Sequence, residues 1–309
     1  MQAVAKVHMI REVLRDAVED EIRDFLIDRE ARGLSPHTLK WYDQQLGHLR
    51  EYLETRGVGS IRDLTPSLLR SFLVGFRQTH NPGGAHGVYR AIRALLNWYA
   101  DENEGWKNPI LKVAPPKVPE EPLEPVSLDA LRAMLETCER RSFTGERDKA
   151  VMLFLLDSGC RRAEFCNLNV GDINLQTGAV MVRHGKGNKP RVTFIGAKTR
   201  RALIAYLKHR KEFTDDSPLW IDETGKRLTH MALRSLLIRR AKKAGVPSPS
   251  IHSFRRGFAI TSLRNGCDLL TLQRLLGHSS LAVVSRYLKQ VESDLRDAHE
   301  QTGPVDNAL

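Results

Sequence analysis

The stretch APPKVPEEPLEP, residues 114–125, divides the chain into two parts and so decides how many domains it forms. Five of the chain's 14 prolines lie in this stretch. Each proline fixes φ and removes a backbone donor, so the run excludes a helix and favours a stiff, extended connector. A chain of 309 residues is also longer than one hydrophobic core usually serves. We therefore predict two domains on either side of a proline-rich linker at 113–126.

The part before the linker has the pattern of a helical bundle. Two segments open with a hydroxyl residue followed by proline, which is typical of a helix N-terminus: SPHTLKWYDQQLGHLREYL from Ser35 and TPSLLRSFLVGF from Thr65. Apolar residues then recur at helical spacing, namely Leu39, Tyr42, Leu46, Leu49 and Leu53, and later Val88, Ile92, Leu95 and Tyr99. The pattern predicts about four helices over 19–112, after an N-terminal extension at 1–18.

The part after the linker combines helices with one short sheet. A first helix is predicted after Ser127, with an apolar stripe of Leu128, Leu131, Leu135 and Cys138. AVMLFLLDSG is apolar on all sides, which predicts a buried helix that ends at Gly159. GAVMVRHGKGNKPRVTFIG alternates, turns at glycines and alternates again, as a β-hairpin does. Further helices are predicted near 199–212, 229–244, 252–265, 268–276 and 280–290.

These patterns define the fold class as mainly α with a small β-hairpin (α+β). The second domain is predicted over 127–290. The remaining residues, 291–309, are polar and lack the spacing needed to pack on their own core, so we interpret them as a C-terminal tail that contacts another protomer.

The chain is strongly basic, and this charge bears on its partner. Its 48 Lys and Arg residues against 37 Asp and Glu give a net charge of +11, with an isoelectric point near 9.7. Such a balance favours a polyanion, most often nucleic acid. The sequence shows no apolar run of membrane-spanning length, no signal peptide and no amphipathic helix with aromatic anchors, so no membrane partner is expected. Four cysteines without paired zinc spacing suit a reducing cytoplasm, where we expect a nucleoid-associated protein.

Several charged residues stand at the ends of predicted elements, where the backbone is anchored and the side chain projects. They are Arg161, Lys186, His252, Arg255 and His278, and Tyr287 follows in the last helix. Taken singly, each has an ordinary explanation as a surface charge, a turn lysine, a structural histidine or a core tyrosine. The GKG at the hairpin tip is not a phosphate-binding Walker loop, because the upstream glycine and the following Ser or Thr are missing.

Taken together and in order, these residues carry a resemblance. The chain resembles the tyrosine recombinase (phage integrase) family, and most of all its short Xer-like members, in four segments and one tyrosine. These are SGCRRAE, HGKGNKPR, HSFRRGFA and LGHSS, followed by Tyr287 nine residues after His278. The resemblance covers 127–290 and, less specifically, the bundle, which is similar to the family's SAM-like core-binding domain. Cys160, Phe254 and Arg256 depart from the commoner family residues, but none of them replaces a reacting group.

The resemblance implies a site and a role for each residue. It assigns Arg161, Lys186, His252, Arg255 and His278 as catalytic and Tyr287 as the nucleophile. If Tyr287 were not the nucleophile, Tyr206 would be the first other candidate to test. Glu164 orients the first arginine, and its spacing favours Arg161 over Arg162 as that arginine.

Elementary chemistry agrees with these roles. Two arginine forks suit the nonbridging oxygens of a phosphodiester, and a lysine can protonate the leaving alcohol. We expect His252 to accept or orient a proton and His278 to donate to the phosphate. No acidic cluster suitable for Mg²⁺ accompanies them, so neither a metal nor a cofactor is expected, and the phosphotyrosine bond makes ATP unnecessary.

The family resemblance further implies a double-stranded DNA recombination site as partner. It implies a homo-tetramer, or a pairing with a second recombinase, and a Holliday-junction intermediate. With about 20 residues ahead of the bundle, we expect no separate arm-binding domain. Two alternatives stay open: a type IB topoisomerase-like enzyme that relaxes DNA as a monomer, and a catalytically silent DNA-binding regulator.

Overall fold

The computed structural model describes residues 18–119, 124–183 and 190–277, together with residues 281, 284, 285, 287 and 305. The chain divides between Glu121 and Pro122 into two compact units. The described residues are mostly helical and form one two-stranded antiparallel sheet. The predicted class, mainly α with a small β-hairpin, is confirmed.

In the described residues of the N-terminal unit there are four α-helices. They are α1 (18–31), α2 (Pro36–Thr55), α3 (Pro66–Thr79) and α4 (Pro82–Glu102). Ser35, Thr65 and Asn81 cap the last three of these helices by accepting a bond from a backbone N–H of the first turn, and proline follows each cap. Hydroxyl or amide caps followed by proline therefore set the helix starts, as the sequence predicted for α2 and α3.

The core of this unit lies between α2 and α4. Leu46, Leu49 and Leu53 face it from α2, and α4 is buried along most of its length, including Val88, Ile92, Leu95 and Tyr99. Tyr42, predicted in the same stripe, is only partly buried, and its ring packs edge-on against Phe25 at 5.2 Å between centroids. The bundle prediction holds, with the apolar stripe of α2 fully buried only in its second half.

The C-terminal unit contains seven described helices and the sheet. In chain order they are α5 (Leu128–Glu136), α6 (Phe143–Ser158), α7 (Arg162–Asn167), β1 (Ala179–Val182), β2 (Arg191–Phe194), α8 (Ala197–Leu207), α9 (His230–Ala244), α10 (Ile251–Arg264) and α11 (Leu269–Leu276). Helix α6 is the centre of this unit, because it packs against α8 and α10 and buries apolar side chains on several faces. It ends at Gly159 in the left-handed region (φ 58°), where an added Cβ would lie 2.5 Å from the Phe258 ring.

The hairpin pairs Met181 with Val192 and Val182 with Arg191. Its tip, residues 184–189, lies outside the described residues, and so does Lys186. Val180 and Val182 face the core, whereas Met181, Val192 and Phe194 are exposed.

Two sequence predictions about this unit were wrong in detail. Helix α8 ends at Leu207 instead of residue 212, because no apolar residue follows to continue its stripe until Phe213, and Arg210 instead donates to the carbonyl of Pro218 at 2.7 Å. Leu128 is 44% exposed, since it is the first residue of α5, and Leu131 and Met134 make the core contacts.

A buried carboxylate fastens α6 to α9. Asp148 is fully buried and accepts bonds from Arg147 Nε and Nη2 at 2.9 and 2.8 Å and from Arg240 Nε at 2.8 Å. Arg240 also donates to the carbonyl of Thr137 at 2.7 Å, just past α5. A buried charge is tolerated only when it is paired in this way, so this network fixes how three helices meet.

Within the described ranges, no helix combines the length and the apolar character that crossing a bilayer requires.

Candidate active site

The first element of the site is the start of α7. Arg161 precedes this helix, and Glu164 lies one turn into it. The backbone N–H of Arg161 donates to Glu164 Oε2 at 2.8 Å, and its Nη1 donates to Oε1 at 2.7 Å. The Arg161 side chain keeps 24% of its surface exposed, whereas that of Glu164 keeps only 3%. The buried carboxylate therefore orients a partly accessible guanidinium.

The second arginine comes from α10. Arg255 is 2% exposed and donates from Nη1 to the carbonyl of Gly159 at 2.6 Å and from Nη2 to that of Leu276 at 2.7 Å. Burial and then the positive charge of Arg161 lower its pKa to about 10. Arg255 is still charged at pH 7, and two close positive groups make this a place that favours an anion.

A third arginine, which the sequence analysis did not identify, completes the cluster. Arg191, the first residue of β2, donates from Nη1 and Nη2 to the two oxygens of Glu164 at 2.7 and 2.8 Å. No signal for it was present in the sequence, because alternation in this strand predicts that the apolar Val192 and Phe194 face inward. In the structure Val192 and Phe194 are exposed instead, and the buried acid Glu164 pairs with the inward Arg191.

The end of α11 aligns all three guanidinium groups. Arg191 Nε donates to the carbonyl of Leu275 at 3.0 Å, Arg255 Nη2 to that of Leu276, and Arg161 Nη2 to that of Gly277 at 2.8 Å. The last carbonyls of a helix lack partners within the helix and form the negative end of its dipole. They therefore attract cations, and here three consecutive carbonyls each accept a hydrogen bond from a different arginine.

Gly277 makes this arrangement possible. It adopts the left-handed conformation (φ 63°), and an added Cβ would lie 2.7 Å from Arg191 Cδ. The arginine side chain thus occupies the space that any larger residue would need.

Glu164 stays ionised in this cluster. Burial raises its pKa, but the hydrogen bonds and charge of Arg191, together with the bonds from Arg161, outweigh that effect and hold the pKa at about 2. The carboxylate therefore carries its charge at neutral pH.

His252 lies beside the arginines on an open cleft. The cleft has a volume of about 660 Å³, and its wall includes Arg161, Arg162, Arg234 and His252. Partial burial of the imidazole, followed by the charges of Arg256 and Arg255, lowers the pKa of His252. The ring is therefore neutral at pH 7, and a neutral imidazole can accept a proton.

Tyr287 is buried next to the cluster. It is 5% exposed and packs with Ala259, Ile260, Leu272, Leu276 and Val284. Its phenol is close enough to Arg255 to influence the pKa of that guanidinium. Since Leu276 contributes both to this apolar cluster and to the carbonyls that hold the arginines, the structure brings Tyr287, Arg161, Arg255 and Glu164 together. His278 and Lys186 lie outside the described residues.

Two comparisons based on sequence identify the family. The sequence model described as "Phage integrase family" matches residues 126–293, and that of the "Phage integrase, N-terminal SAM-like domain" matches residues 22–103. The chain belongs to the phage integrase family. The predictions of a tyrosine recombinase and of a SAM-like N-terminal domain are confirmed.

Relatives of this phage integrase family member are similar over nearly their whole length. The tyrosine recombinase XerA of Thermococcus kodakarensis is 30% identical over 292 residues, which are 93% of this chain and 97% of XerA. The solved structure of the XerH site-specific recombinase bound to palindromic difH substrate, a post-cleavage complex, has a TM-score of 0.70 at 19% identity and covers 94% of each chain. A lambda integrase tetramer bound to a Holliday junction also has a TM-score of 0.70, at 16% identity, covering 85% of this chain and 77% of the integrase.

The second candidate nucleophile does not suit that role in this family member. Tyr206 is fully buried on α8. Its hydroxyl donates to the carbonyl of Leu219 at 3.1 Å and accepts from the backbone N–H of Ile221 at 3.1 Å. Burial also raises its pKa, which disfavours the phenolate that attack requires.

Among the described residues, no three or more His, Cys, Asp or Glu side chains form a group that could hold a metal ion. The four cysteines are free thiols. Burial raises the pKa of Cys160, next to Arg161, to about 11, so this thiol is protonated and unreactive at neutral pH.

Proposed function

We propose that this protein is a site-specific DNA recombinase that cuts and rejoins duplex DNA through a 3′-phosphotyrosine intermediate. The observation that carries the proposal is the arginine pair. Arg161 and Arg255 are fixed by carbonyls at the end of α11, beside the apolar cluster that contains Tyr287. Two preorganised guanidinium groups next to a tyrosine suit a phosphodiester in which negative charge develops during attack.

The proposed reaction is a transesterification. The oxygen of Tyr287 attacks phosphorus, and the bond from phosphorus to the 5′ oxygen breaks. His252 takes the phenolic proton, and Lys186 gives a proton to the departing 5′ oxygen. Arg161 and Arg255, with His278, bind the nonbridging oxygens.

Rejoining reverses these steps. A 5′ hydroxyl from the partner duplex attacks the phosphotyrosine, and the tyrosine leaves with its proton restored. The energy of the broken phosphodiester is kept in the protein–DNA bond, so the reaction consumes no ATP. The positive charge that a metal would supply comes from the arginines.

The proposal includes one conformational step. Because Tyr287 is only 5% exposed, we infer that it moves toward the phosphate when DNA binds. In this proposal the apolar cluster that contains Tyr287, Leu272 and Leu276 keeps the ring buried until then.

DNA binding is assigned to both units, with 19–112 as the core-binding domain and 127–290 as the catalytic domain. A net charge of +11 supports this assignment, and so do two solved structures of similar fold, a recombinase bound to its substrate and an integrase tetramer bound to a Holliday junction. We infer four protomers on two sites, or a pairing with a second recombinase, acting on nucleoid DNA in the cytoplasm.

The tail at 291–309 is proposed to bind a neighbouring protomer. It contains five acidic residues and a single arginine. A cleft of about 630 Å³ in the C-terminal unit has apolar walls from Leu153, Leu156 and Phe258 and a basic rim from Lys198 and Arg201. Such a cleft suits an acidic segment with apolar residues at intervals.

The test begins with a site selected by the protein from a pool of random duplexes. A nicked version of that site loses the short fragment that carries the freed 5′ hydroxyl after cleavage, and so traps any covalent adduct. An adduct on a denaturing gel supports the proposal, and its absence under conditions of full binding would favour the DNA-binding regulator. A product that requires two sites identifies recombination, whereas relaxation of a plasmid without a second site would identify the topoisomerase-like activity.

A further inference from the structure

We propose that Arg191 is a positioning residue for Arg161 that acts through Glu164, and that β2 thereby couples the hairpin to the arginine pair. The proposal rests on the function given above and deepens it. Arg191 is only 10% exposed, and its Nε, Nη1 and Nη2 all bond within the protein. All three of its guanidinium nitrogens are thus engaged within the protein, so its proposed effect on the phosphate passes through another residue.

Glu164 is fully occupied by the two arginines. Its Oε1 accepts from Nη1 of Arg161 and Nη1 of Arg191, and its Oε2 accepts from the Arg161 backbone and Arg191 Nη2. An ionised carboxylate has about four lone-pair positions, and all are used here. Without Arg191, half of them would be empty and the carboxylate could rotate.

The charges give a second reason. Two guanidinium groups share one carboxylate, so the trio of Arg161, Arg191 and Glu164 keeps one net positive charge for an incoming phosphate. If Arg191 were absent, the charge of Glu164 would offset that of Arg161 alone, and the pair would carry no net charge. Arg191 therefore preserves the positive charge that Arg161 presents to a phosphate.

The position of Arg191 connects two parts of the site. It opens β2, five residues after Lys186, and its Nε binds Leu275 at the end of α11, where Arg161 and Arg255 are also held. The packing of its Cδ over Gly277 leaves little freedom for this contact. A displacement of the hairpin would therefore be transmitted to the arginine pair.

The first experiment compares two substrates with each variant. One is the nicked duplex with an ordinary scissile phosphate, and the other carries a methyl group in place of one nonbridging oxygen, which makes that phosphate uncharged. We expect Arg191→Met to slow adduct formation about 100-fold on the charged substrate, as a displaced catalytic group does. On the neutral substrate the loss should fall to roughly threefold, because less charge needs stabilising.

The controls separate positioning from general damage. Arg183→Met removes the neighbouring hairpin arginine, whose partner is Asp172, and should affect both substrates alike and weakly. Arg191→Lys keeps the charge but loses the bidentate fork, so it should recover only part of the rate. The ratio of the rates on the two substrates does not depend on the folded fraction. An equal loss for Arg191→Met on both substrates would overturn the proposal.

A double-mutant cycle tests whether Arg191 acts through Arg161. On a substrate with sulfur as the bridging 5′ atom, which keeps slow variants measurable, Arg191→Met should cost little once Arg161 is alanine. Additive losses would mean that Arg191 contacts the phosphate itself and would refute the positioning role. If the wild-type protein forms no adduct on any of these duplexes, the proposed function fails; if it does and Arg191→Met matches it, only this inference fails.

Discussion

Replacing Glu164 by glutamine removes the charge that holds Arg161 and Arg191 and leaves the shape of the side chain. The pKa of Glu164 is about 2, against an ordinary value of 4.5. This depression means that the folded state stabilises the ionised carboxylate by about 3 kcal/mol, at about 1.4 kcal/mol per pKa unit. Glutamine also turns an N–H₂ donor toward guanidinium donors. We therefore expect Glu164→Gln to lower the free energy of unfolding at pH 7 by about 3 kcal/mol, within the range for a broken buried ion pair.

The pH dependence of this loss has a definite sign. Because the folded-state pKa is depressed, the stabilisation is complete above the unfolded pKa of 4.5 and is lost as the pH falls toward 2. The difference between wild type and variant should shrink by just under 1 kcal/mol at pH 4 and by about 2 kcal/mol at pH 3.

Urea unfolding at pH 7, 4 and 3 measures both quantities, with tryptophan fluorescence as the signal. Glu139→Gln is the matched control, since Glu139 is exposed and pairs with Lys243 at the surface, and should change the midpoint little. A difference under about 1 kcal/mol at pH 7 for Glu164→Gln, or one that stays constant down to pH 3, would contradict the assigned role of the buried cluster.

Three further predictions concern other parts of the chain. Lys186→Ala should slow cleavage of ordinary DNA by roughly 10²- to 10⁴-fold. Most of the lost rate should return when the leaving 5′ oxygen is replaced by sulfur, because a thiolate leaves without being protonated. Equal impairment on both substrates would mean that Lys186 is not the general acid. Asp148→Ala should lower the free energy of unfolding by about 3–5 kcal/mol because Arg147 and Arg240 lose their buried partner, and a thermal melt unchanged from wild type would disprove this. Deletion of 292–309 should leave single-site binding intact in a gel-shift assay and impair synapsis, whereas unchanged recombination would show that the tail is not an assembly contact.

The sequence predicted those parts of the fold that local rules determine. Hydroxyl-proline pairs at Ser35 and Thr65 marked helix starts, and alternation around a glycine-rich turn marked the hairpin. These signals depend on neighbours a few residues apart. The prediction of α8, which was too long, shows the limit of such signals. The helix ends at Leu207, where its apolar stripe ends, and the following Arg210 donates to the carbonyl of Pro218 in the next loop.

The identity and order of the residues in the sequence predicted which residues form the candidate site. They did not predict the contacts that hold these residues in place. Arg161 and the carbonyl of Gly277 are 116 positions apart, and Arg191 and that of Leu275 are 84 apart. No local pattern records such contacts. The role of α11 as a common anchor, and of Arg191 as the second partner of Glu164, therefore required the folded structure.

The central claim is that Tyr287 is the residue that becomes joined to DNA. The most direct measurement traps the adduct on the nicked duplex, digests it with protease and nuclease, and locates the modified residue by mass spectrometry. We predict a nucleotide-bearing peptide modified at Tyr287, and no adduct from Tyr287→Phe, a change that keeps the apolar contacts with Leu276 and Val284. An adduct on any other residue, or one still formed by Tyr287→Phe, would contradict the account.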